Sequence, residues 1–252
     1  MVNRATRKTF SARKSDLNSN PTMKTICSAI ILSLTTIAVV AGTITGNVSA
    51  QGKTNADNTV GDGAYTSHKY KFVEKVDYAA MHDFVVYIEG SFGTNSAPST
   101  NAATVTTTRV AQEDAVFSPH ILPVMVGTTV EWPNNDRIYH NVFSMSDAKQ
   151  FDLGLYKGNP PDKRVTFDKP GRVDVFCSIH TSMNCIVLVL ENPYFASTDE
   201  NGNYTITNVP PGKYKLKAWH ERLPADEREI TVPTNGEVRV DFMLGIKNLP
   251  QY

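Results

Sequence analysis

The chain has 252 residues but only three cysteines and two tryptophans. Cys27 sits in an apolar N-terminal run, which leaves Cys177 and Cys185 for the rest of the chain. In an oxidising compartment such an even pair invites a disulfide reading. A bond between them would, however, consume a thiol whose neighbours point to another use. Helical periodicity is scarce as well. Beyond residue 50 no stretch of normal helix length repeats its apolar residues every three to four positions, and Tyr78-Ala79-Ala80-Met81 offers one turn at most. Charge of neither sign dominates, with 25 basic and 25 acidic side chains. No basic patch marks a nucleic-acid partner. Phosphate-cradling glycine loops, a nucleophile elbow with Ser, His and Asp, and paired carboxylates in a defined context are all missing, so the sequence offers no catalyst.

The zero net charge hides an asymmetry. Residues 1–50 hold six basic side chains and one acid, so the remainder carries 19 basic against 24 acidic residues, a net of −5. That N-terminal stretch reads as an export signal. Met23-Lys24 precedes a mainly apolar run from Ile26 to Ala41, and Val48-Ser49-Ala50 has the small-residue pattern of a cleavage site. Residues 1–50 are therefore expected to be a signal peptide, with Met23 as an alternative start. The protein is then periplasmic or otherwise exported, and meets a membrane only if this segment stays uncleaved. Residues 51–80 are expected to be a linker, polar and rich in Gly and Asn at its start.

From Phe84 onward, short apolar runs alternate with turn residues. Candidate strands are Phe84–Ile88, Ile121–Val126, Thr129–Trp132, His140–Phe143, Phe151–Tyr156, Arg164–Phe167, Arg172–Cys177 and Ile186–Glu191. Pro133-Asn134-Asn135-Asp136, Gly158-Asn159-Pro160-Pro161 and Lys169-Pro170-Gly171 break them apart. The pattern predicts an all-β chain folded as a sandwich over residues 81–193. After Asn192-Pro193 come an Asn-Gly hairpin signal at Glu200-Asn201-Gly202-Asn203 and two period-2 segments around Tyr214–Ala218 and Val238–Leu244. Residues 194–248 are few for an independent domain. They are expected to form a small second β unit that leans on the sandwich and borrows Ile186–Glu191 or Phe84–Ile88.

One stretch carries chemistry: Cys177-Ser178-Ile179-His180-Thr181-Ser182-Met183. It places a thiol, an imidazole and a thioether three residues apart, just after an apolar run. Upstream lies His140, followed by Asn141. One thiolate, two imidazoles and a weak thioether make up the donor set of a mononuclear blue-copper site. Zinc is the competing metal, but a thioether suits it poorly and only three good ligands remain. A binuclear centre would need its second cysteine ahead of the histidine, whereas Cys185 follows Met183. Cys185 is then expected to be a buried small hydrophobe. His68, His82, His120 and His220 stand outside any such pattern.

Gly127-Thr128-Thr129-Val130-Glu131-Trp132, Asn135-Asp136, His140-Asn141-Val142 and Phe176–Met183 together resemble a cupredoxin. The Cys-x2-His-x2-Met spacing is similar to amicyanin, while plastocyanin-type loops place the methionine two residues later. The run Phe143–Tyr156 resembles exported bacterial proteins labelled methylamine-utilisation or plastocyanin-like. In that group the cupredoxin is followed by a segment like Asn192-Pro193-Tyr194-Phe195 and a short carboxypeptidase-regulatory, or transthyretin-like, unit. The resemblance spans about 81–248. It implies a Greek-key sandwich, one type 1 copper ion at His140, Cys177, His180 and Met183, and one-electron transfer to a transient redox protein partner. It also implies that a hydrogen bond between Asn141 and Ser178 ties the two ligand segments together. Copper storage or delivery, and a non-redox interaction module, are the alternative uses of the same residues.

Overall fold

The computed structural model describes residues 41–52, 77–90 and 109–245. These residues all belong to one compact unit. Their regular structure is β, apart from a single 3-10 turn at Tyr78–Ala80. Among the described residues no helix is long and apolar enough to cross a membrane.

Two sandwiches share the chain. The first is built from β3 (Ala111–Glu113), β4 (Val116–Ser118), β5 (Ile121–Met125), β6 (Thr128–Glu131), β7 (His140–Ser146), β8 (Lys149–Tyr156), β9 (Arg164–Phe167), β10 (Gly171–Phe176) and β11 (Asn184–Leu190). Its main sheet runs β5-β11-β10-β7-β8, with β5 parallel to β11 and the other pairs antiparallel. The antiparallel pairs β6-β9 and β3-β4 complete it. Alternation sets the inside: Val173 and Val175 of β10 are fully buried, while Arg172 and Phe176 are exposed. Trp132, Phe117, Phe167 and Val187 fill the core, and Cys177, Met183 and Cys185 share it. The β-runs expected between Ile121 and Glu191 are all present, and the class is all-β as anticipated.

The second sandwich departs from the expected boundaries. It comprises β1 (Gly42–Gln51), β2 (Val85–Ile88), β12 (Phe195–Ser197), β13 (Asn203–Val209), β14 (Gly212–His220), β15 (Leu223–Val232), β16 (Glu237–Arg239) and β17 (Phe242–Gly245). One sheet runs β12-β2-β14-β15. In the other, β1 pairs antiparallel with β13 and parallel with both β16 and β17. Phe84–Ile88 is thus a strand of this unit rather than of the first sandwich, whereas Ile186–Glu191 stays in the first sheet. A signal peptide ending at Ala50 would contain most of Gly42–Gln51, yet this segment supplies the strand that three others pair with. Its alternation explains why: Ile44 and Val48 are buried, with Thr43, Thr45 and Asn47 on the other face. This is a half-buried strand pattern and not a continuous apolar run. The second unit is therefore split in sequence, with the first sandwich inserted between its strands β2 and β12. The expected 51–80 linker and His68 lie largely or wholly outside the described residues.

Asn192 closes the insertion at its base. Its buried side-chain amide donates to Ile88 O and Gly90 O, both at 2.7 Å, and its Oδ1 accepts from Tyr194 N at 2.9 Å. The chain entering the inserted sandwich is thereby fixed to the chain leaving it. Between the two units Val85, Ile121, Leu188, Leu190 and Phe195 form a separate apolar cluster, flanked by Tyr87 and Trp219. Residues Cys185–Leu190 are buried continuously because one face of β11 meets its own core and the other meets the second unit. At the rim His120 Nε2 lies 2.9 Å from Glu221 Oε1, and the Arg172 guanidinium stands over the Trp219 ring.

Candidate metal centre

The four ligand positions read from the sequence come from two places in the first sandwich. His140 begins β7, while Cys177, His180 and Met183 lie in the short connection from β10 to β11. That connection is cross-braced: Cys177 N donates to Met183 O at 3.1 Å and Met183 N to His180 O at 3.0 Å. The two bonds fold the segment into a tight loop, in which Cys177 and His180 are brought together.

His140 Nδ1 lies 2.9 Å from His180 Nδ1, and Cys177 Sγ lies 3.7 Å from His180 Nδ1. The donor atoms of His140, Cys177 and His180 all fall within 4.8 Å of one another. Metal–nitrogen bonds of about 2.0–2.1 Å and metal–sulfur bonds of about 2.3 Å let three atoms this close share one ion. The residues fit a metal. His140 is fully buried, Cys177 is 5% and Met183 1% exposed, and His180 is half-buried at the edge. Met183 packs in the same cluster as Cys177.

The surroundings hold this frame, though not all by the bond expected. Asn141 N–H points at Cys177 Sγ from 3.5 Å, which places a backbone donor on the thiol. The Asn141 side chain donates to Asp152 Oδ1 at 2.7 Å. Among the hydrogen bonds of the described residues none joins Asn141 to Ser178, and Ser178 is exposed. The tie between the ligand segments thus runs through the Asn141 backbone and not through the Asn141–Ser178 pair. The physical reason is that Asp152, on the neighbouring strand β8, captures the amide with a charge-assisted bond.

Asp136 is the functional residue that sequence reasoning left without a role. Its Oδ2 sits 2.7 Å from His140 Nε2. The same carboxylate accepts from Asp114 N at 2.8 Å and Ala115 N at 3.0 Å. Those two residues form the β3–β4 turn at positive φ, 53° and 55°. The backbone bond from Ala115, helped by His140, holds the Asp136 carboxyl below its ordinary range. A carboxylate at Nε2 keeps the proton on that nitrogen and leaves Nδ1 free as a lone-pair donor toward the site. The i, i+4 spacing of Asp136 and His140 was the available signal, but the turn that completes the network is invisible without the fold.

The remaining histidines and Cys185 stand apart. His120 joins Glu221 and faces Asn184 O, while His220 is buried against the Phe84 ring at 5.0 Å between centroids. Cys185 is 1% exposed and unbonded to Cys177, and burial pushes its thiol well above the usual range. It is a core residue.

Residues 104–190 match the model for copper binding proteins of the plastocyanin/azurin family, and residues 186–245 match the carboxypeptidase regulatory-like domain. Among curated proteins no sequence matches the chain significantly. Similar solved structures include a purple cupredoxin from Nitrosopumilus maritimus, 25% identical, covering 32% of this chain and 97% of that one with a TM-score of 0.28. A single-residue mutant of amicyanin in its oxidized state is 26% identical, covering 35% and 88%, TM-score 0.29. A copper-containing nitrite reductase from Thermus scotoductus is 29% identical over 34% of this chain, TM-score 0.31, and the chain spans only 22% of that enzyme's length. The chain carries a cupredoxin module of the plastocyanin/azurin kind together with a carboxypeptidase regulatory-like module.

Proposed function

We propose that the protein is an exported type 1 copper protein and a one-electron carrier. The observation that carries this reading is the convergence of the His140, Cys177 and His180 donor atoms within 4.8 Å, beside a buried Met183. A copper ion held there supplies a one-electron couple between its two oxidation states. The chain's own residues do the rest. Asp136 pins His140, and Asn141 N–H caps the Cys177 thiol. Side chains held by such bonds would keep the rearrangement that accompanies a one-electron change small. His180 stands at the boundary with solvent and is the port for electrons. Around the ligands Ile138, Tyr139 and Ile179 are 49%, 59% and 49% exposed. Such a small apolar rim suits a transient redox partner, whose encounters bury less than about 1,200 Å².

Purified protein loaded with copper is expected to show an intense visible charge-transfer band and a reversible one-electron wave, and Cys177→Ser is expected to abolish the band. Copper-loaded protein without the band overturns the type 1 assignment. A band-bearing site that exchanges Cu(I) readily and gives no reversible wave overturns the carrier role in favour of storage or delivery.

A further inference from the structure

We propose that the exported chain is cut between Ala41 and Gly42, so that the mature protein begins on β1. Hydrolysis adds water across that peptide bond, leaving a carboxylate on Ala41 of the leader and a new amine on Gly42. This rests on the proposed export and is independent of copper.

The case comes from what β1 does. A cut after Ala50, at the small-residue pattern Val48-Ser49-Ala50, removes Gly42 to Ala50 and with them nearly the whole strand. The sheet would lose its centre. Residues Gly42 to Asn47 pair with β13, Thr43 to Thr45 with β16, and Val48 to Gln51 with β17. Strands β16 and β17 have β1 as their sheet partner. Ile44 and Val48, 0% and 2% exposed, pack in one cluster with Tyr204, Ile206, Phe242 and Leu244. Their removal would open that core to water.

The neighbours are shaped for this strand at backbone level. A Cβ on Gly46 would lie 1.8 Å from Val240 O, and one on Gly202, at φ +79°, would lie 2.2 Å from Val48 O. Polar groups match too. Asn47 N donates to Asp241 Oδ1 at 2.8 Å, and the Asn47 amide donates to Asn201 O at 2.8 Å. Backbone bonds from Thr43 N to Gly236 O and from Val48 N to Gly202 O fasten the strand along its length. A segment held by strand pairing, core packing, close backbone fit and side-chain bonds is part of the folded protein, so processing must fall before it. The apolar run from Ile26 carries no charge and ends at Ala41. Val39-Val40-Ala41 then supplies the small residue that a leader-cutting enzyme requires just ahead of its cut.

The test is the N-terminal sequence and intact mass of the full chain after expression in an exporting bacterial cell, taken separately from the exported, membrane and cytoplasmic fractions. The expected product is an exported chain of residues 42–252. Ala41→Leu is expected to abolish this cut, because a large side chain precedes it, and Ala50→Val is expected to leave it unchanged. An exported chain starting at Gln51, or a membrane chain keeping Ile26 to Ala41, overturns the cut while leaving export intact. An uncut chain confined to the cytoplasm overturns the export reading and the cut together.

Discussion

Asp136 shows how one side chain can serve two parts of the fold. It terminates the β3–β4 turn and orients His140 through the same two oxygens. Asp136→Asn puts an amide NH2 where N–H groups already converge, so at least one donor loses its acceptor whichever way the amide turns. Copper affinity is expected to fall about 10- to 100-fold, the usual consequence of removing a ligand's outer partner. The apo protein is expected to lose about 1–3 kcal/mol, the cost of a stranded donor. Competition against a Cu(I) chelator and urea unfolding of the apo protein measure the two effects separately. The four candidate ligand positions could be picked out of the sequence because three of them fall within seven residues. The roles of Asp136 and Asp152 could not. The Asp136–His140 spacing is local, but the turn residue Ala115 that holds Asp136 lies 21 residues away and the Asn141 amide that meets Asp152 lies 11 away, and the fold alone brings them together.

His220 offers a second prediction at this scale. Burial holds its imidazole below the ordinary value, with Glu221 and Asp83 opposing and Arg222 assisting. Its Nδ1 accepts from Arg222 N at 3.1 Å, a bond that protonation destroys. With the folded value depressed, the unfolded chain binds the proton first as pH falls through the usual histidine range of about 6.5. Stability is therefore present above that range and lost below it, at no more than about 1.4 kcal/mol per pH unit. Urea midpoints of the apo protein from about pH 7.5 to 5, a window spanning that range, are expected to show this slope, and His220→Asn to flatten it. An unchanged slope in the variant places the proton elsewhere.

At the scale of elements, β1 was hidden by its position in the chain. An apolar stretch ending in small residues near the N-terminus reads as a leader, and the period-2 pattern of Ile44, Gly46, Val48 and Ala50 starts only after it. Pairing in this strand is also non-local, with partners from residue 203 to residue 245. Period alone cannot announce that. The short strands β3, β4 and β12 escaped for a related reason: three residues hold too little alternation to register. By contrast β14, whose Lys213, Lys215 and Lys217 alternate with Tyr214, Leu216 and Ala218, was plain. Gly46→Ala tests whether β1 packs as described, because the added methyl meets the Val240 carbonyl. A cost of about 1–3 kcal/mol is expected from such overpacking. A urea midpoint equal to that of the parent protein would place the strand elsewhere.

At the scale of the whole molecule, insertion changes what the second module is for. It is not a tail hung on the copper module but the frame that holds both its ends, fastened at Asn192 and sealed by the Val85, Ile121, Leu188, Leu190 and Phe195 cluster. β11 links the two directly: Asn184 follows Met183 of the candidate metal loop, and Leu188 and Leu190 reach the shared cluster. Two connections and an apolar seam make separate unfolding expensive, since opening either unit exposes the seam. One calorimetric transition is therefore expected for the full chain. Copper at about a thousand times its dissociation constant adds about 4 kcal/mol, and that gain is expected to raise the single transition as a whole. Leu188→Ala, at a site 6% exposed, removes buried methyls from the seam at a cost of about 2–5 kcal/mol. In that variant the transition is expected to split, with copper raising only the component that contains the metal loop. Two transitions already present in the parent protein would mean that the modules are joined by the chain alone.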